Sequence, residues 1–123
     1  MNNFNITEIE QIINKSEFCR NDNDIPREIY GVIYSLGRDA ESSEEYKYSY
    51  NLLINLCEHC NPHVRAYAIL GLALLNAEEN LFDKDKVQQV IYREWNSNVK
   101  YRFYISDAAD DFNNKFGWNI ELS

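Results

Sequence analysis

The sequence predicts an all-α protein, on three observations. Apolar residues recur at spacings of three and four along most of the chain, no stretch alternates long enough to need a strand, and turn formers are scarce. Its 123 residues include only four glycines and two prolines, which suits long helices joined by short turns. A chain of this length builds one domain with a real core and not two, so residues 1–123 are read as a single domain.

The spacing predicts about six helices. Thr7 and Glu10 form a capping box for the first, which turns Ile9, Ile12 and Ile13 inward. Asp24 caps a second that carries Ile29, Val32, Ile33 and Leu36 and is weakened by Gly37. Ser42 or Ser43 opens the third, with Glu44 and Glu45 favourable in its positive first turn, and it runs through Tyr46, Tyr50, Leu53, Ile54 and Cys57. Asn61 caps the fourth and Pro62 fits its first turn, where a proline nitrogen has no helical partner to lose. Along this helix Val64, Tyr67, Ala68, Gly71, Leu72 and Leu75 share a broad apolar face, extended by Leu70 and Leu74. Arg65, Ala66, Ile69, Ala73 and Asn76 are left for another surface. The small Ala68 and Gly71 imply a neighbouring helix at very short range. Asp83 or Asp85 caps a fifth helix that buries Val87, Val90, Ile91 and Trp95. A sixth opens near Ser97 or Asn98, buries Val99, Phe103, Ala109 and Phe112, and ends at Gly117.

Ile29, Val64 and Val99 fall thirty-five residues apart, as do Ile33, Ala68 and Phe103, which suggests stacked helix pairs that complete one core between them. The run Asn61-Pro62, Val64-Arg65, Ala68, Gly71-Leu72 resembles the second helix of a HEAT repeat; the third unit keeps Asn96, Val99 and Lys100 of that pattern. The resemblance implies a short right-handed stack of about three HEAT-like hairpins, with a concave side formed by the second helices.

Composition bounds the partner. Twenty acidic and twelve basic side chains give a net charge of −8, which opposes direct binding of nucleic acid or anionic membrane and favours a basic macromolecule. The amino-terminal residues lack the basic and apolar segments of a secretory leader, and no apolar run approaches a bilayer's thickness, so the expected location is the cytoplasm. Three cysteines there fit reduced thiols. Short acidic proteins of this helical texture are similar to immunity proteins of contact-dependent inhibition and other polymorphic toxin systems. That likeness implies a non-catalytic protein that binds and neutralises a cognate toxin domain, often a nuclease. A general protein-binding scaffold or adaptor is the alternative.

Catalytic constellations are poor. Cys57, Cys60 and His63 have soft and borderline donor types, but the context suits helix-end packing better than a closed zinc site, so neither metal nor cofactor is expected. No serine sits in a nucleophile elbow and no glycine-rich loop follows a strand, so enzymatic activity is not expected. The thirty-five-residue step instead lines up Tyr30, Arg65 and Lys100, then Tyr34, Ile69 and Tyr104, then Glu41, Asn76 and Asp111. With Tyr101 and Asp107 nearby, this predicts an aromatic and acidic stripe for partner binding. Arg65 has a rival role, since the arginine at that point of HEAT-like stacks often tethers neighbouring repeats through a carboxylate.

Overall fold

Ser42, Asn61 and Asp83 fix where three helices begin, because each side chain accepts from a first-turn N–H that would otherwise have no partner. Ser42 Oγ accepts from Glu45 N at 3.2 Å, Asn61 Oδ1 from His63 N and Val64 N at 2.8 and 3.3 Å, and Asp83 Oδ1 from Lys86 N at 3.2 Å. The computed structural model describes residues 27–122. Among them it is all-helical, with five α-helices and no strand: α1 (Arg27–Arg38), α2 (Ser43–Leu56), α3 (Pro62–Leu74), α4 (Lys84–Ser97) and α5 (Arg102–Phe116). Short 3₁₀ turns at Glu79–Leu81 and Val99–Tyr101 lead into α4 and α5. Gly117, at φ 66°, ends α5 in the left-handed conformation that glycine tolerates. The helix expected from Thr7 lies outside the described residues. No described helix is long and apolar enough to cross a membrane.

The helices form two layers. α3 lies between α1 and α5, its two most extensive neighbours, and α2 and α4 pack on the other side. Tyr30 meets His63 and Tyr67 at the start of α3, while Gly37 meets Gly71 near its end, so α1 and α3 run parallel. Tyr67 against Tyr104, and the Lys115 ammonium donating to the Ala73 carbonyl, set α5 parallel on the opposite flank. The Lys115 bond also satisfies a carbonyl at the carboxyl end of α3, where a positive charge is favoured. Gly37 therefore sits inside α1 at a close crossing, rather than weakening the helix as the sequence suggested.

Burial keeps the thirty-five-residue step between α1 and α3, where Ile29, Ile33, Leu36 and Ala40 are buried as Val64, Ala68, Gly71 and Leu75 are, and corrects it between α3 and α5. Thirty-seven residues after Val64, Ala68, Gly71 and Leu75, all buried, Tyr101, Ile105, Ala108 and Phe112 are buried in the same way. The residues at thirty-five from Val64 and Ala68 are Val99, 62% exposed, and Phe103, 72% exposed; both were expected in the core. An error of two residues rotates the assignment by roughly 200° about a helix, which exchanges inside for outside. Ala66, Ile69 and Ala73, assigned to a free surface, are completely buried, because α3 is apolar nearly all round and is covered on both sides. The exposed side of α3 is instead the Tyr67, Leu70 and Leu74 edge, where each residue is half-buried.

Beyond α5 the chain folds back. Trp118 stacks on Phe112 at 4.8 Å and its indole N–H donates to Glu79 at 2.6 Å; Asn113 pairs with the Ile120 backbone through both ends of its amide. Burial of Trp118 and Ile120 closes the core at the end of the second layer. Each such side chain contributes about 1.5–3 kcal/mol.

Candidate functional site

The outward edges of three parallel helices bring four tyrosines into one strip. Tyr30 on α1 lies 5.4 Å from Tyr67 on α3, and Tyr67 lies 5.1 Å from Tyr104 on α5, ring centre to ring centre. These three residues are thirty-seven apart in sequence. Burial raises the Tyr67 phenol above its ordinary value, with further contributions from the neighbouring phenols of Tyr104, Tyr34 and Tyr30. Tyr67 is thus the neutral centre of a four-phenol cluster. His63 lies beneath, stacked on Tyr101 at 4.5 Å with planes 3° apart, and reaches the Tyr30 and Tyr104 rings as well.

The residues expected from the sequence divide into three groups. Tyr30, Tyr34 and Tyr104 are half-buried in or beside the strip, and exposed Asp107 and half-buried Asp111 follow Tyr104 on successive turns of α5. Glu41 is exposed between α1 and α2, away from the tyrosines in sequence and bonded through its amide to Glu45. Ile69, wholly buried, and Tyr101, 5% exposed, support the site from within and cannot offer a free side chain to a partner. Arg65 also turns away from the strip. Its Nε donates to Glu94 at 2.9 Å and Nη1 to the carbonyls of His59 and Cys60, which is the tethering role. Tyr67 and His63 were missed as site residues. The recurrence of tyrosine at thirty-seven residues was the signal for the first; nothing local marked the second.

The opposite layer carries charge of a structural kind. Glu94, nearly fully buried on α4, accepts from Arg65, from Arg93 Nε at 3.0 Å and from Asn98 Nδ2 at 3.2 Å. Arg93 continues to Glu58 and to the Cys57 carbonyl, and its hydrogen bond holds the Glu58 carboxyl below the usual range. Burial pushes the Cys57 thiol up to about 12, so it is no nucleophile near neutral pH. Cys60 is disulfide-bonded, which corrects the expectation of three reduced thiols. His63 meanwhile packs among tyrosines, so Cys57, Cys60 and His63 do not make one donor set. Among the described residues no three His, Cys, Asp or Glu side chains converge to hold a metal ion. A separate cleft of about 790 Å³ lies between α2 and the segment after α3, lined mainly by Ser43, Tyr46, Tyr50, Asn51, Asn76 and Asn80.

His59 makes the α2–α3 turn sensitive to acid. Asn61 N–H donates to His59 Nδ1 at 3.0 Å, a bond that needs the unprotonated nitrogen. Burial first, and then the charge of Arg65, lower the imidazole from its ordinary 6.5. The folded value is below the unfolded one, so the associated stability is present above about pH 6.5 and is lost as pH falls through the folded value. A histidine NMR titration should place His59 below 6.5 and show unfolding free energy beginning to decline in that window, before the carboxylates titrate. A midpoint at or above 6.5 would refute the assignment.

Comparison of this chain with protein-family models, curated proteins and solved structures returns no match.

Proposed function

We propose that this chain is a non-catalytic immunity protein. In this reading it is a short right-handed stack of HEAT-like hairpins that binds and neutralises a basic bacterial toxin domain of the nuclease kind. The observation that carries the reading is the row Tyr30, Tyr67 and Tyr104 crossing three parallel helices, with Asp107 and Asp111 on its α5 side. Tyrosine offers large contact area for little lost side-chain entropy, and the half-buried rings are already held by one another. A net charge of −8 steers a cationic partner and repels nucleic acid, which gives the protein a reason to occupy a nuclease groove and none to enter a duplex. The Arg65–Glu94 tether between α3 and α4 supports the HEAT-like part of the proposal.

Co-expression with the product of the adjoining upstream reading frame tests this. A complex should form whose association rate falls by about ten-fold or more between low and high salt. Tyr67→Ala and Tyr104→Ala should each weaken it by at least about ten-fold. Failure to bind and inhibit a cognate basic toxin sinks the immunity role. Tight, salt-insensitive capture of a neutral protein instead would favour the scaffold reading.

A further inference from the structure

We infer that the Tyr67–Tyr104 part of the strip, with Asp107 and Asp111, is a seat for an arginine side chain presented by a cationic segment of the partner. This rests on the reading of the strip as a partner surface and names the chemistry that it takes. A guanidinium is flat, weakly hydrated and permanently charged, so it stacks on tyrosine faces while its fork of N–H donors meets carboxylates. Both halves of that recognition are present. Tyr67 and Tyr104 meet edge to face at 5.1 Å with Tyr30 beyond, each ring half-buried and so with part of its surface open to solvent. Asp107 and Asp111 stand three and seven residues after Tyr104, on neighbouring turns of one side of α5.

The molecule's own cations already use this chemistry, two of them beside the strip and one against α4. The Arg38 guanidinium lies 5.1 Å over the Tyr34 ring, the Lys100 ammonium 5.2 Å over Tyr101, and the Arg102 guanidinium 4.6 Å over Trp95. Arg65, the one arginine of α3, is committed to Glu94 in the other layer. Asp107 and Asp111 form no ion pair among the described residues, so both carboxylates are open to an incoming cation. Phe103, 72% exposed and edge-on to Tyr104 at 5.9 Å, adds an apolar ledge for the methylene stem of the incoming side chain. A phosphate or a nucleic-acid strand would meet these acids unfavourably, and an aliphatic side chain would leave them without a partner.

The test uses the whole chain with acetylated, amidated tri-arginine and its uncharged isostere, tri-citrulline, followed by NMR of the tyrosine rings at low salt. Tri-arginine should shift the Tyr67 and Tyr104 signals saturably. Tri-citrulline should not, and the Asp107→Asn, Asp111→Asn double variant should bind tri-arginine about ten-fold more weakly while keeping its helical spectrum. Equal shifts with citrulline, an unchanged affinity in the double variant, or shifts confined to other residues would overturn the seat. A toxin complex unaffected by the double variant would likewise remove the seat while leaving toxin binding intact. Tri-arginine binding as described with no toxin complex would uphold the seat and remove the immunity role.

Discussion

Glu94→Ala should destabilise the fold by about 3–5 kcal/mol, the usual cost of removing one partner from a buried ion pair. Glu94 is nearly fully buried, and its carboxylate is the common acceptor for Arg65, Arg93 and Asn98. Those donors reach onward to the carbonyls of Cys57, His59, Cys60 and Pro62, so the network ties the α2–α3 turn to α4. With alanine, Arg65 keeps its backbone partners but loses the charge that compensates its burial, and a cavity opens beside it. Glu94→Gln retains an acceptor at Oε1 and should cost less, about 1–3 kcal/mol. The double variant Arg65→Met, Glu94→Leu should lose less than the sum of the single losses, because no charge is then left unpaired. Urea unfolding of these variants, of Arg65→Met and Glu94→Leu singly, and of the parent measures this. A Glu94→Ala midpoint indistinguishable from the parent would mean that the network adds nothing to stability.

Arg65 and Glu94 also show which features could be read in the sequence. Three helix starts were legible because caps are local: Ser42, Asn61 and Asp83 each satisfy N–H groups within three residues, and Gly117 ends α5 through its own backbone, whereas α5, expected to open near Ser97 or Asn98, begins at Arg102 with no side-chain cap. A tethering role for Arg65 was legible in kind, but its carboxylate lies twenty-nine residues away and no local pattern selects it. Facing was the main failure. α3 is apolar nearly all round, so its own sequence does not say which edge meets solvent, and the answer depended on the offset between repeats. Ile29 and Val64, thirty-five residues apart, are both buried, but the next step is thirty-seven, which puts Tyr101 in the core where Val99 was expected. That shift takes Tyr101 inside, while Tyr67 at the centre of the strip and Ile69 in the core reflect the facing that the sequence of α3 does not set. Tyr30, Tyr34 and Tyr104 survive as site residues because they flank the packed faces in either register.

Gly37→Ala should cost about 2 kcal/mol or more, although alanine alone would favour the helix by about 1 kcal/mol. A methyl group at Gly37 would fall well inside contact distance of the Gly71 carbonyl oxygen and 3.0 Å from Leu74 Cβ. The obstacle is α3 backbone, which cannot swing aside as a side chain can, so α1 must move away from α3. Gly71→Ala meets a softer neighbour: its methyl would lie 2.9 Å from Leu53 Cδ2, the far end of a side chain. Part of that clash is relieved by repacking and part is offset by helix propensity, so its loss should be smaller, about 1 kcal/mol or less. Denaturant unfolding of both variants gives the order, and a Gly71→Ala loss equal to or larger than that of Gly37→Ala would overturn it. The binding strip adds a second readout. Displacing α1 carries Tyr30 away from Tyr67, while the Tyr67–Tyr104 contact, which depends on α5, stays in place. Gly37→Ala should therefore perturb the ring signals of Tyr30 and Tyr34 more than that of Tyr104.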